Sequence, residues 1–203
     1  MFNRIGFDRE FFLSLRRIDE EIAWQVKLGG CPCCDDGHLH VANYPRKPQG
    51  ALVAPEGEAD ELTLRLSFCC DREGCRKRTT PPSVRFLGRR WYLSVVVIVA
   101  SVCACLERTA EEEKPRETGV PARTMRRWLG WWRGPFAATE VFVVLCARLV
   151  GVAVDALPAS IVQRLPGSAV EQVRAMLRLL APLTWGHGEQ AFNFPEGLLP
   201  VAP

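Results

Sequence analysis

Two clusters of cysteine and histidine are the residues of this chain with the clearest capacity for chemistry. GGCPCCDDGHLH, residues 29–40, contains three cysteines and two histidines, and FCCDREGCRKR, residues 68–78, contains three further cysteines. Grouped cysteines form disulfides, catalytic metal centres or structural metal sites. The N-terminal sequence mixes charges into its apolar residues and lacks the apolar core of a secretory signal. We therefore expect the nine cysteines to be reduced thiols or metal ligands.

The spacing of the thiols favours a metal site with four cysteine ligands. Cys31 and Cys34 form a C-x2-C pair, and Cys70 and Cys75 form a C-x4-C pair. Two such pairs on neighbouring strands bring four thiolates together, which is the tetrahedral arrangement that Zn2+ prefers. Four protein ligands leave no position for a water molecule, so the expected zinc ion is structural and not catalytic.

Other ligand sets remain open from the sequence alone. Cys33 or Cys69 can replace a proposed ligand, and a histidine is an alternative fourth ligand, either His38 or His40. Two residues between cysteines make a metal-binding turn, which favours Cys31 over Cys33 as the partner of Cys34. Cys70 is preferred to Cys69 because it shortens the second loop. A reduced cluster without metal is the alternative to a zinc site.

Short strands are expected to position the cysteine pairs. HLHVANY (38–44) and LTLRLSF (62–68) alternate apolar and polar residues, which predicts two antiparallel strands with a cysteine cluster at the end of each. Residues 8–28 begin with helical spacing and change to a strand-like alternation from Trp24 to Leu28. A sheet of this size buries little surface, so metal binding would contribute most of its folding free energy.

The chain changes character after the second cysteine cluster. Pro81 and Pro82 predict a stiff, extended, basic connector. Beyond it the apolar spacing is helical, with helices at about 90–107, 121–133, 139–150, 158–165 and 168–181. We predict an α+β protein in which a small antiparallel zinc-ribbon sheet precedes an all-helical bundle. Its predicted parts are an N-terminal helix and zinc ribbon (1–80), a basic linker (81–90), a helical domain (91–185) and a flexible tail (186–203).

ETGVPARTMRRWLGWWRG, residues 117–134, predicts an amphipathic, basic helix. Pro121 suits the first turn, where its missing N–H costs nothing. The polar residues near the start of this helix occupy the positions from which a helix-turn-helix contacts bases and phosphates: Arg123, Thr124, Arg126 and Arg127. The apolar segment 91–106 would be the helix that packs behind it. At about sixteen apolar or small residues it is shorter than the roughly twenty that a membrane span needs.

TGVPARTMRRW resembles the "G-V-x-x-R-T-[LMV]-x-R-W" recognition helix of many transposase and resolvase-like helix-turn-helix domains. Together with the CPCC…CCDREGCRKR ribbon, residues 24–135 resemble the zinc-ribbon plus helix-turn-helix N-terminal module of insertion-sequence transposases and related mobile-element proteins. That module binds terminal-repeat DNA, which by position implicates Arg123, Thr124, Arg126 and Arg127 here. The connection ERTAEEEKPRETG departs from the family pattern, because it is longer and more acidic than the usual turn.

Basic residues are concentrated near the predicted linker. Seven Arg or Lys residues and a single Glu lie between Arg72 and Arg90, although the formal net charge of the chain is only +3. Such a block suits phosphate contacts, which supply affinity and little sequence choice. The expected phosphate-binding residues are Arg76, Lys77, Arg78, Arg85, Arg89 and Arg90. The alternatives are a solvated surface and arginines that hydrogen-bond the ribbon to the helical half.

No catalytic constellation accompanies these motifs. After residue 135 the carboxylates are scattered, whereas two-metal phosphoryl transfer needs clustered ones. We therefore expect a cytoplasmic, non-enzymatic protein that binds double-stranded DNA and serves a mobile element or transcriptional regulation. Its expected partners are DNA and a separate transposase or other protein subunit, with no membrane association and with homo-oligomerisation left open. The alternatives are a single-strand or RNA-binding protein and a zinc-stabilised protein-interaction or scaffold module anchored by Trp128, Trp131 and Trp132.

Overall fold

The computed structural model describes residues 8–34, 36–46, 63–87, 92–107 and 120–184 and shows an α+β protein of helices and small antiparallel sheets. These residues form two compact units. One unit runs from residue 8 to Leu93 and takes in residues 180–184, and the other is Ser94–Leu179.

Helix α1 (Arg9–Leu28) opens the first unit. The carboxylate of Asp8 caps it by accepting a hydrogen bond from the Phe11 amide at 2.9 Å. The strand expected from Trp24 to Leu28 is instead the last part of this helix. Val26 continues the buried helical stripe, while Trp24 and Leu28 are 56% and 64% exposed. The buried apolar residues of the stripe are Phe11, Leu15, Ile18, Ile22, Ala23 and Val26.

The two segments predicted as strands pair antiparallel, as expected. Their strands are β1 (Leu39–Val41), β2 (Tyr44–Pro45), β3 (Leu64–Arg65) and β4 (Phe68–Cys70), and β5 (Arg78–Thr79) follows. β4 lies between β1 and β5, while β2 pairs with β3. Asn43 joins the two strand pairs, because its side-chain oxygen accepts a hydrogen bond from the Ser67 amide at 3.0 Å. The result is one interrupted hairpin.

Both faces of the second arm of this hairpin are covered. Arg65 and Ser67, on the polar side of the alternating sequence, are only 3% and 0% exposed. The Arg65 guanidinium donates to the carbonyl of Pro81, and the Ser67 hydroxyl donates to the carbonyl of Thr79 at 3.3 Å. The polar side of this alternating sequence is therefore buried, against the segment that contains Thr79 and Pro81.

The segment expected to be a stiff, extended, basic linker is largely buried within the first unit. Residues 81–86 are all buried, and β6 (Phe86–Leu87) pairs with β7 (Tyr92–Leu93). The Ser83 amide donates to the Thr184 hydroxyl at 2.7 Å. Arg85 is 3% exposed, so the expected phosphate contact at this residue is wrong. Residues 88–90 lie outside the described residues.

Asp19 is the buried ion-pair partner of Arg85. The Asp19 carboxylate, 1% exposed, accepts hydrogen bonds from the Arg85 Nε at 2.8 Å, the Ser83 hydroxyl at 2.6 Å and the Val84 amide at 2.7 Å. The other end of the Arg85 guanidinium donates to the carbonyl of Leu64 at 2.9 Å. One carboxylate thus ties α1 to the segment before β6 and, through Arg85, to β3.

Arg65 is a second cation in the same interior. Its burial lowers the pKa of the guanidinium to about 10, while the charge of Asp19 acts in the opposite direction, so Arg65 stays protonated at neutral pH. The guanidinium carbons of Arg65 and Arg85 lie 5.8 Å and 5.1 Å from the centre of the Phe86 ring. Asp19 is therefore the direct partner of Arg85, and its charge also favours the protonated form of Arg65.

Replacement of Asp19 tests this pairing. We expect Asp19→Ala to lower the free energy of unfolding by about 3–5 kcal/mol, because Arg85 would be left buried without its partner. Glu20→Ala is the matched control: it removes the neighbouring carboxylate of the same helix and its exposed ion pair with Arg16, and should cost at most about 0.5 kcal/mol. Urea denaturation followed by circular dichroism measures both. Equal effects of the two substitutions would contradict the account.

The second unit is helical. It contains α2 (Ser94–Glu107), α3 (Ala122–Trp131), a π-helical turn (Trp132–Phe136), α4 (Glu140–Arg148), α5 (Ala159–Val162) and all but the last residue of α6 (Ala169–Leu180). α2 packs against α3 and α5, with Cys105, Leu129 and Ala159 in contact. All five predicted helices are found, and most of their ends lie within a few residues of the predicted ends. Residues 108–119 lie outside the described residues.

The apolar run of α2 is accounted for by packing. The side chains of residues 95–100 are all at most 4% exposed. In the part of the chain that the structure describes, no helix has the length and apolar character that crossing a membrane requires.

Candidate metal centre

The first cysteine pair lies in a turn that begins where α1 ends. Gly30 adopts a φ of 75°, a left-handed conformation that suits glycine, and turns the chain out of the helix. The Cys31 amide then donates to the carbonyl of Gly37 at 3.0 Å, and the Cys34 amide donates to the carbonyl of Cys31 at 3.4 Å. These bonds close a tight loop with both thiols on it.

The second cysteine pair lies where β4 turns into β5. Cys70 ends β4, and the turn after it contains Gly74 at a φ of 86°. The Cys75 amide donates to the carbonyl of Arg72 at 3.1 Å. The pairing of β1 with β4 places Leu39 opposite Cys70, which brings this turn beside the loop of the first pair.

The four sulfur atoms are arranged for a single metal ion. Those of Cys31, Cys34, Cys70 and Cys75 all lie within 4.8 Å of one another. Cys31 Sγ is 3.8 Å from Cys75 Sγ, and Cys34 Sγ is 3.5 Å from Cys70 Sγ. A tetrahedral ion with metal–sulfur bonds of about 2.3 Å holds its sulfur atoms about 3.8 Å apart, whereas a disulfide needs about 2.05 Å. The thiols are therefore unbridged and compatible with metal binding.

Gly37 makes room for this arrangement. A Cβ atom at residue 37 would collide with Cys70 Sγ and would lie 2.9 Å from Cys34 Sγ. The absence of a side chain lets the backbone approach the thiols closely. Gly37 is thus required by the packing of the sulfur atoms. No local sequence pattern indicates this role.

The four thiols differ in their affinity for protons. Burial raises the pKa of Cys31, but the Cys33 amide, which donates to its sulfur at 3.4 Å, and the neighbouring thiols outweigh burial and lower this pKa to about 7. Burial raises the pKa of Cys70 to about 12 and also raises that of Cys34. A bound cation must therefore displace protons from at least Cys34 and Cys70.

The alternative ligands lie outside the group of four. Cys33 is exposed, and Cys69 Sγ donates to the carbonyl of Arg76 at 3.4 Å. His38 is exposed, and His40 Nε2 lies 3.3 Å from the carboxylate of Asp71. Among the described residues, only Cys31, Cys34, Cys70 and Cys75 converge as a cluster of metal-ligating side chains.

The residues expected to bind nucleic acid are found in different settings. Arg123, Arg126 and Arg127 are exposed on α3, and Thr124 is half-buried. Arg76, Lys77 and Arg78 are exposed in or next to the second cysteine turn. Arg78 is also held in the sheet, because its Nη1 donates to the carbonyl of Ala42 at 2.7 Å and its guanidinium carbon lies 5.3 Å from the centre of the Tyr44 ring. Arg89 and Arg90 lie outside the described residues.

Comparisons with known proteins give no relative of this chain. No protein-family model matches it, and no significant match was found among curated proteins or among solved structures.

Adjacent cysteines provide a matched test of the ligand set. We expect Cys70→Ser to abolish stoichiometric binding of a divalent metal ion, because three thiols then remain at the centre. Cys69→Ser should retain one ion per chain, because Cys69 Sγ is directed to a backbone carbonyl. Metal analysis after gel filtration measures both variants. Loss of the ion from Cys69→Ser with retention in Cys70→Ser would contradict the assignment.

The protonation of the free thiols predicts how metal binding varies with pH. The bound form requires thiolates, so affinity is lost as the pH falls and gained as it rises. Since Cys34 and Cys70 both have raised pKa values, at least two protons leave on binding, and the apparent affinity should increase by at least about a hundredfold per pH unit around neutral pH. Competition with a chelator of known affinity measures this slope. An affinity independent of pH would show that these thiols do not lose protons on binding.

Proposed function

We propose that the four cysteines hold one structural Zn2+ ion and that the chain binds double-stranded DNA through α3. The clustering of four thiols at tetrahedral spacing supports the choice of metal, because an all-sulfur tetrahedral site is typical of structural zinc. With four cysteine ligands the ion would have no open position for a substrate or water. Its role would be to hold two turns together.

The shortness of the strands supports a structural role for the ion. β1 and β4 have three residues each, and β2, β3 and β5 have two. Strands this short give a small sheet little stability of its own. The buried cluster of Ala23, Val26, Leu39 and Phe68, together with Cys31 and Cys70, packs directly around two of the proposed ligands. Ion binding would therefore stabilise the hairpin and its contact with α1.

The exposed face of α3 is the observation that carries the DNA proposal. Arg123, Arg126 and Arg127 are related by three and four residues and so share one side of the helix, where all three are exposed. Trp128 and Leu129, on the opposite side, are 7% and 8% exposed. The partial positive charge of the helix N-terminus adds to that of Arg123. A helix with this distribution presents cations to a partner while its apolar side stays attached to the protein.

The surroundings of α3 suit a helix-turn-helix-like role. α2 packs against α3, as the supporting helix of such a domain packs against its recognition helix. In that arrangement Arg123, Thr124, Arg126 and Arg127 would contact base edges and phosphates in the major groove. The resemblance to the DNA-binding module of insertion-sequence transposases points the same way. We place the chain with mobile-element or regulatory proteins that act without a catalytic core of their own.

The tryptophans give less support to a protein-interaction module. Trp132 is fully buried, and its ring centre lies 4.9 Å from those of Trp131 and Phe136. Trp131 is half-buried and also lies 5.5 Å from Phe136. The rings therefore pack within the helical unit, whereas an interface anchor would be free to enter a pocket on a partner.

Fluorescence anisotropy of the zinc-loaded protein on random duplex DNA, titrated with salt, tests the DNA proposal. We expect affinity to fall steeply as salt increases. In Arg126→Ala/Arg127→Ala the slope of log K against log[salt] should be smaller by about 1.8, since each phosphate contact contributes about 0.9.

A double substitution elsewhere controls for the change in net charge. Arg9→Ala/Arg17→Ala removes two exposed arginines from α1 and should leave the slope unchanged. If the wild-type protein does not bind duplex DNA at low salt, the DNA proposal is wrong. Binding to single strands in preference to duplex would favour the RNA or single-strand alternative.

A further inference from the structure

One face of α4 is exposed although its central residues are apolar. Val143 and Val144 are 64% and 47% exposed, and Ala147 is exposed beside them. Val150, just beyond the helix, is 92% exposed. Phe142 and Leu145, on the other side of α4, are buried, and the ring of Phe142 lies 5.5 Å from that of Phe136. α4 is therefore anchored by one side and presents valines on the other.

The charges at the two ends of this face are of opposite sign. Glu140 is exposed in the first turn of α4, and Arg148 is exposed in the last. Glu140, Val143, Val144, Ala147 and Arg148 follow one another at i, i+3, i+4, i+7 and i+8, so they form a single stripe along the helix. The stripe is acidic at its start, apolar in the middle and basic at its end.

We propose that this stripe pairs with the same stripe of a second copy of the chain, with the two α4 helices antiparallel. A twofold axis at Val144 places Glu140 of each copy opposite Arg148 of the other and brings the valines together. The pairing is isologous, because one patch serves both copies. Charge complementarity favours this occupant, since an acid and a base at equal distances from Val144 face each other when the helix meets its own reverse.

The small size of the stripe limits the strength of the pairing. A helix of nine residues is about 13 Å long, so α4 alone buries less than the roughly 1,200 Å² typical of stable interfaces. We therefore expect a weak dimer, in the micromolar to millimolar range. Self-association does not depend on the proposed DNA binding. If both hold, the dimer presents two copies of α3, and two half-sites on one DNA would strengthen the pairing.

The same two charges could instead serve only the helix to which they belong. An acid in the first turn and a base in the last interact favourably with the helix dipole. Exchanging the charges separates the two roles. Glu140→Arg and Arg148→Glu each disturb the dipole, and the double exchange disturbs it at both ends. In the antiparallel pair, however, each single exchange creates two like-charge contacts, and the double exchange restores two opposite-charge contacts.

Sedimentation equilibrium of the full, zinc-loaded chain without DNA tests the proposal. Each single exchange should weaken the dimer by about tenfold or more, and Glu140→Arg/Arg148→Glu should return it to near the wild-type dissociation constant. Val144→Lys, which places two cations at the twofold axis, should give a monomer. Glu20→Arg on α1 makes the same charge change at an exposed position and should have no effect. Circular dichroism confirms that each variant is folded.

Two results would overturn the proposal. One is a wild-type protein that remains monomeric up to about 1 mM, the weak end of specific association. The other is a double exchange that associates no better than either single one, as a role limited to the helix dipole predicts. Neither result would bear on DNA binding, which is measured separately.

Discussion

The close approach of four thiols is the constraint that the two turns at the end of the small sheet must satisfy. Their sulfur atoms lie within 4.8 Å of one another, on two turns contributed by the end of α1 and the end of β4. Without a cation, four thiolates at this distance repel one another. Burial disfavours the charged thiolate form of Cys34 and Cys70 and so raises the pKa values of both. The strands between the turns have only two or three residues each, so their hydrogen bonds contribute little to holding the turns together. An ion that requires four sulfur ligands would explain three features together: the geometry of the cysteine loops, the glycine at residue 37 and the pairing of β1 with β4.

A second buried charge system stabilises the other end of the same unit. Asp19 connects the middle of α1 to residues 83–85, and Arg85 extends the network to the carbonyl of Leu64. The basic character of the sequence near residue 85 is therefore partly an internal requirement of the fold. Among the described residues expected to bind phosphate or bases, the exposed cations lie elsewhere, on the second cysteine turn and on α3. This division explains why a count of basic residues along the sequence overestimates the surface that a phosphate backbone can reach.

The sequence predicted the features of the fold that are set by local spacing. Helical periodicity located α2 to α6, alternation located the two arms of the hairpin, and C-x2-C and C-x4-C spacing selected the four thiols that the structure brings together. Prediction from the sequence failed where long-range contacts decide which side chains are buried. Arg85 is separated from Asp19 by 66 residues, and no local pattern joins the two. A signal was present, however, because Asp19 sits next to Ile18 on the buried stripe of an amphipathic helix. The end of α1 was mistaken for a strand because Trp24 and Leu28 are apolar but exposed.

X-ray absorption at the zinc edge of the purified protein is the decisive measurement for the proposed zinc site, because it reports the identity, number and distance of the ligand atoms. We expect one zinc ion per chain, surrounded by four sulfur atoms at about 2.3 Å, with no nitrogen or oxygen ligand. Among the described residues, only Cys31, Cys34, Cys70 and Cys75 lie close enough together to form such a shell. A protein without zinc, or a shell that contains histidine nitrogen or water oxygen, would contradict the closed structural site.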